Sequence, residues 1–222
     1  MPLREPPQAA GSLAAIPAEP IRGRLLHRVW RLRAADGTLR PDPWWFASVP
    51  RDPADGGRFD LPAPMGTCYA ATRPVGAVLE ALQMHLTNLP RAELALRRRA
   101  EILAPADAPR AAKLTARAVA GTHGITATSW AGSDRALCQR WAAALRRDGW
   151  WAVYGGIAHD PSGRLRSVAL FDHSGAHPPT TGGPWTCCTT TLDDDQRLLA
   201  GLARYGVTVR DPGVLAYRDA PE

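Results

Sequence analysis

The stretch TCYAATRPVGAVLEALQMHL, Thr67 to Leu86, constrains the fold more than any other segment. Its first residues suit a short strand ending at Tyr69, and Arg73 and Pro74 mark a turn. A helix follows in which Val75, Val78, Leu79, Leu82 and Leu86 share one face at about 100° per residue. Gly76, Glu80, Gln83 and Thr87 fall on the other face, so pattern alone makes Glu80 a solvated acid. Because the strand feeds the helix directly, Tyr69 and Glu80 can also line one cleft.

The elements around this unit are strands and helices in no regular alternation, without an internal repeat. LLHRVWRL, residues 25 to 32, has the alternation of a strand with both faces partly covered. Residues 33 to 66 are dense in Pro, Gly and Asp and form one long loop region with aromatic anchors, a length that suggests a binding role. LRRRAEILAP, 96 to 105, reads as a further strand, and 106 to 132 carry no clear pattern. In SDRALCQRWAAALRRDG, Ser133 suits an N-cap, Arg146 and Arg147 suit the last turn, and Gly149 a stop; Leu137, Cys138, Trp141 and Leu145 form the buried stripe. WWAVYGGIAHDPSGRLRSVALFD predicts strand, turn and strand, with 166 to 172 the more central strand. HPPTTGGPWTCCTTT reads as a loop crossing to a final helix over 192 to 205, capped by Thr191 with Asp194 and ended by Gly206, and VTVRD as a last strand. The fold class is therefore α+β.

At 222 residues and 45% hydrophobic composition the chain suits one sizeable core. Residues 1 to 22, rich in Pro and Ala without periodicity, predict a poorly ordered arm; 23 to 176 form the main body, and 177 to 222 complete the same domain. No run of some 18 apolar residues and no basic, apolar leader is present, and Cys68, Cys138, Cys187 and Cys188 outline no disulfide framework, which fits a cytoplasmic protein.

The net charge is +6, but of the 27 basic residues only Lys113 is lysine, and the chain is also rich in Ala, Gly and Pro. That bias is what GC-rich coding produces, so basicity says little about nucleic acid by itself. The rival reading, a non-catalytic nucleic-acid-binding module, rests on this charge and the eight tryptophans. It is weakened because Trp30, Trp141 and Trp151 are expected in the core. No phosphate-binding P-loop, strand-linked G-x-G-x-x-G, H-E-x-x-H or G-x-S-x-G occurs, and no paired Cys/His spacing points to a metal. What remains is GGRFD, in which Gly56 and Gly57 allow close backbone approach and Arg58 offers a bidentate fork for phosphate. Arginine, aromatic and carboxylate together suit a dinucleotide whose glycosidic bond is to be broken.

These residues resemble the RES-domain family. The resemblance lies in LLHRVW with Arg28, GGRFDLPAPMGTCYAATRPVGAVLEAL with Arg58, Tyr69 and Glu80, CQRWAAALRRDG, and HDPSGRLRSVALFD, in that order over roughly residues 25 to 175. It implies an ADP-ribosyltransferase-like fold, a mixed sheet flanked by helices, and degradation of NAD, in some members as the toxin of a toxin–antitoxin pair. By the same resemblance Arg28 and Arg58 engage the NAD phosphates or ribose, Tyr69 packs at the nicotinamide end, and Glu80 is the catalytic carboxylate. The serine for which the family is partly named is expected after RRDG, where this chain has Tyr154. Ser133 is the alternative source of a hydroxyl. NAD would be a substrate with no metal required. The acceptor stays open between water (glycohydrolase), phosphate (phosphorylase) and a protein or nucleotide (mono-ADP-ribosyltransferase). A toxin would have a small helical antitoxin covering its cleft.

Overall fold

The computed structural model describes residues 3–34, 36–82, 87–125, 134–158, 160 and 162–211. In chain order it contains β1 (Ala18–Glu19), β2 (Leu25–Arg31), β3 (Met65–Ala71), α1 (Pro74–Leu82), β4 (Asn88–Pro90), α2 (Arg91–Ala95), β5 (Arg97–Leu103) and β6 (Ala111–Lys113). There follow α3 (Arg117–His123), α4 (Arg135–Arg147), β7 (Ala152–Gly156), β8 (Arg166–His173), β9 (Thr186–Thr191), α5 (Gln196–Ala203) and β10 (Thr208–Arg210). Eight strands form one mixed sheet in the order β1-β6-β7-β8-β3-β2-β5-β9, and β10 pairs with β4 in parallel. The fold is a single α+β domain.

Strand parity divides the core. On β3, β7 and β8, Tyr69, Val153, Ala169 and Phe171 face the helical side, where α4 supplies Cys138, Trp141 and Leu145. Cys68, Ala70, Ala152, Val168 and Leu170 face the other side, where the long loop brings Trp44 and Phe46 to meet Trp185. The loop is tied to β3 and to the chain just after β8 by bridges of Ala47 to Thr67 and Phe46 to Gly175, so its aromatic anchors are literal ones. A third cluster packs α1 and α5 through Val78, Leu79, Leu198 and Leu202 against Val29 and Ala71.

Several elements differ from the sequence reading. Residues 3–22 are packed rather than loose. Leu3, Leu13 and Ile16 are buried in the α4 cluster, β1 pairs with β6, and the Trp150 indole donates to the Leu13 carbonyl at 3.0 Å. β9 replaces part of the expected crossing loop as the sheet's edge strand, paired with β5 and exposed at every residue. Asp134 caps α4 by accepting from the Ala136 amide, and Asp195 caps α5 by accepting from the Leu198 amide, in place of Ser133 and Thr191. Ser133 lies outside the described residues, as do 83–86 of the opening helix. Trp30 and Trp141 are buried, whereas Trp151 is half-buried beneath the Arg146 guanidinium, 3.6 Å from its ring. No described helix is long and apolar enough to cross a membrane.

Candidate active site

The sheet opens where β2 meets β3. These neighbours exchange a ladder partner at His27 and Ala71 alone, while β2 stays paired with β5 along its whole length and β3 with β8. The two strands therefore splay, and a cleft of roughly 290 Å3 lies in the gap. Backbone groups turned toward such a gap need partners from elsewhere. Arg28 supplies one. Its Nη1 donates to the Tyr69 carbonyl at 2.7 Å and its Nη2 to the Trp45 carbonyl at 3.3 Å, so the guanidinium holds the gap's wall instead of standing free for a phosphate.

The floor comes from α1. Pro74 opens the helix with its φ already helical. The Gly76 side lies against the sheet, where an added Cβ would come within 2.8 Å of Ile157 Cδ1 and 3.3 Å of Ala71 Cβ. Glu80 sits one turn later on the same side, and with Ala77 and Ala81 it lines the cleft. Gly76 and Glu80, read as part of a solvated face, are thus turned to the sheet and its cleft, and Glu80 is only 9% exposed. Its cover arrives from 22 residues upstream. Arg58, 5% exposed, places Nη2 3.1 Å from Glu80 Oε1 and 3.5 Å from Oε2. A buried carboxylate needs such a counter-ion to remain charged.

The GGRFD loop that carries Arg58 is held by a second buried network. Tyr69 Oη donates to Asp60 Oδ1 at 2.9 Å and accepts from the Phe59 amide at 2.8 Å, while the Gly57 amide donates to Asp60 Oδ2 at 2.7 Å. Gln139 of α4 donates from Nε2 to the carbonyls of Pro53 (3.0 Å) and Gly57 (3.1 Å). Gly57 has no room for a side chain, since a Cβ would lie 2.7 Å from Asp60 Oδ1 and closer still to the Tyr69 hydroxyl. Burial raises the Asp60 carboxyl above the ordinary aspartate value, opposed by the hydrogen bonds from Gly57 and Tyr69. Burial, reinforced by the Asp60 charge, holds the Tyr69 phenol well above its usual range, so that hydroxyl stays protonated. Tyr69 therefore offers the cleft its ring and backbone, not a base.

The rim is basic and aromatic. Arg31, Arg40 and Arg97 line it, with Arg31 and Arg97 both on Glu93 and Arg40 stacked 4.2 Å from the Trp45 ring. His27 also lines the cleft, and burial, then the Arg99 charge, holds its imidazole below the usual histidine value against the opposing pull of Glu101.

The structure thus gathers Arg28, Arg58, Tyr69 and Glu80 in one place, and does not bring Tyr154 there. Tyr154 packs on the opposite face of the sheet from Tyr69 and lies beneath Arg24, 5.8 Å from its ring. None of the described residues lining the cleft is a serine. Asp60 and Gln139 escaped the sequence reading although both stand inside quoted motifs, GGRFD and CQRW; the only available signal was a polar residue within two positions of each motif's arginine. Among the described residues no cluster of His, Cys, Asp or Glu is arranged for a metal. Chemically, the site offers one buried carboxylate on the floor, an aromatic wall and guanidiniums at the mouth.

The model of the RES domain matches residues 28–188 of this chain. No curated protein matches it by sequence. Among solved structures, its fold is similar to that of a chain in the M. tuberculosis MbcT–MbcA toxin–antitoxin complex, at 15% identity and a TM-score of 0.53, over 82% of this chain and 88% of that one.

Proposed function

The chain belongs to the RES-domain family, and from that membership and the cleft we propose that it consumes NAD by breaking the nicotinamide–ribose bond, with Glu80 as the catalytic carboxylate. The observation that carries this reading is the Glu80 carboxylate on the floor of the split, nearly buried and fixed by Arg58 at 3.1 Å. Loss of nicotinamide leaves positive charge on the ribose, as in glycoside cleavage through an oxocarbenium-like state. A preorganised carboxylate in a water-poor site stabilises that charge with little reorganisation. Nicotinamide departs as a neutral base from a cationic precursor, so the site needs no general acid. In this reading Arg58 is a positioning residue, the Tyr69 ring flanks the nicotinamide end, and the rim arginines Arg31, Arg40 and Arg97 face the diphosphate.

Likeness to a chain from a toxin–antitoxin complex supports the further reading that this protein is the toxin of such a pair, its partner being a small helical protein seated over the cleft. The direct test is to incubate purified protein with NAD, with and without phosphate, and follow nicotinamide release by chromatography. ADP-ribose as the second product assigns water as acceptor, ADP-ribose 1-phosphate assigns phosphate, and label retained on protein assigns transfer. Glu80→Gln is expected to lower turnover by about 100- to 1000-fold while the near-ultraviolet circular dichroism stays native. Full activity in that variant, or no NAD loss with the unmutated protein, overturns the assignment.

A further inference from the structure

At the N-terminal end of α1 a second concavity, of roughly 700 Å3, lies between α1, α5, β5 and the turn joining β7 to β8. Its volume is within the range of small-molecule sites. Five arginines line it, from four separate parts of the chain: Arg73, Arg99, Arg164, Arg197 and Arg204. Its two carboxylates, Glu101 and Asp195, are both engaged by Arg99, at 2.7 and 3.2 Å. Arg99 is 8% exposed, and its buried Nε has no hydrogen-bond partner among the described residues. Arg73, Arg164, Arg197 and Arg204 are exposed at the mouth, and among the described residues none of them forms an ion pair. Between them lie apolar Val75, Leu165 and Leu198 and the half-buried Tyr205.

Some arginines of this surface find carboxylates, as Arg31 does with Glu93. Others, such as Arg22, Arg51 and Arg110, stand exposed without an ion pair among the described residues, but here four unpaired ones line a single concavity. Four unneutralised guanidiniums around one concavity repel each other and focus a positive potential into it. Such an array matches several phosphate oxygens at once through planar, charge-assisted forks. We propose that this concavity is a second ligand site, separate from the cleft, which takes a polyphosphate group either free or carried on a nucleoside.

The test is calorimetric titration of the intact protein with tripolyphosphate and, separately, with ADP. The probe variant is Arg164→Glu/Arg204→Glu, whose two sites are exposed, so its melting temperature should match the parent's. At least one ligand is expected to bind the parent, and the double reversal should weaken it by about tenfold or more. Glu80→Gln, on the cleft floor, should leave that binding unchanged. ADP binding more tightly than tripolyphosphate assigns the nucleotide, and equal affinity assigns the bare polyphosphate; either outcome supports the site. Binding of neither ligand, binding that survives the double reversal, binding lost in Glu80→Gln, or binding of single-stranded RNA alone overturns it. The outcome does not depend on whether the protein turns over NAD.

Discussion

Floor and rim of the cleft are built from the same two residue types, arginine and carboxylate, in opposite settings. On the floor Arg58 and Glu80 have side chains 6% and 9% exposed, and each is the other's only ion-pair partner among the described residues. At the rim Arg31 and Glu93 are 48% and 28% exposed, and Glu93 also holds Arg97. Distance does not separate the two sites, since the buried pair is the longer one, at 3.1 Å against 2.8 Å for Arg31 and Glu93. Burial does. In water an unpaired charge is solvated cheaply, whereas on the floor it has nowhere to turn, so the same ion pair is a modest surface contact in one place and a structural commitment in the other.

The largest expected effect follows from that commitment. Arg58→Ala leaves the Glu80 carboxylate buried without its counter-ion, and the unfolding free energy measured in urea should fall by about 3–5 kcal/mol. The paired change Arg58→Met/Glu80→Leu should recover most of that loss, because both charges leave together, while NAD turnover stays abolished. A loss under about 1 kcal/mol in the single variant would put the floor on the same footing as the rim.

Asp60 sharpens the contrast through pH. Its folded carboxyl is raised, with burial the leading cause, so the folded state holds a proton that the unfolded chain has released. Stability from this group is therefore present at low pH and declines as pH rises from the ordinary value of 3.8 through the raised one. Asp60→Asn has no such titration. The stability difference, parent minus variant, should shrink as pH rises through that window, and a difference that grew instead would mean that the hydrogen bonds from Gly57 and Tyr69 outweigh burial. Glu93 behaves oppositely. Its hydrogen bond to Arg97, then that to Arg31, holds it below the ordinary value, so its smaller contribution is present at neutral pH and lost on acidification.

How far the sequence discloses these settings depends on where each residue's cover comes from. β2, β8 and the apolar face of α1 were legible because their own alternation or periodicity records what they pack against. Glu80 was legible as a candidate but its burial was not, because the cover is Arg58, brought over by a loop that periodicity does not describe. Tyr69 and Tyr154 show how little separates a place at the cleft from one away from it. Both lie on strands of one sheet, and only parity sets one toward the cleft and the other under the opposite layer. β9 escaped because TCCTTT is exposed throughout and carries no buried face to alternate with. In the first 22 residues Leu3, Leu13 and Ile16 are spaced without a period, and their packing partners are on α4, more than a hundred residues away.

The smallest effect belongs to the rim. Glu93→Ala removes the carboxylate shared by Arg31 and Arg97, but both guanidiniums keep other recourse: Arg31 is half in water, and Arg97 Nη1 also donates to the Glu93 backbone carbonyl at 2.7 Å, which the substitution preserves. The Arg97 side chain, only 10% exposed, is left with that carbonyl, and the part of the loss owed to Arg31 is about 0.2–1 kcal/mol at low salt. It should fade in 1 M salt, where the screening length is about 3 Å, whereas the loss in Arg58→Ala should persist because ions do not reach the floor. If the proposed phosphate contacts of Arg31 and Arg97 hold, freeing them from Glu93 should leave kcat for NAD unchanged and leave KM equal or lower. A raised KM would mean that Glu93 holds the two arginines in their working geometry, giving the rim a preorganised role like that of the floor.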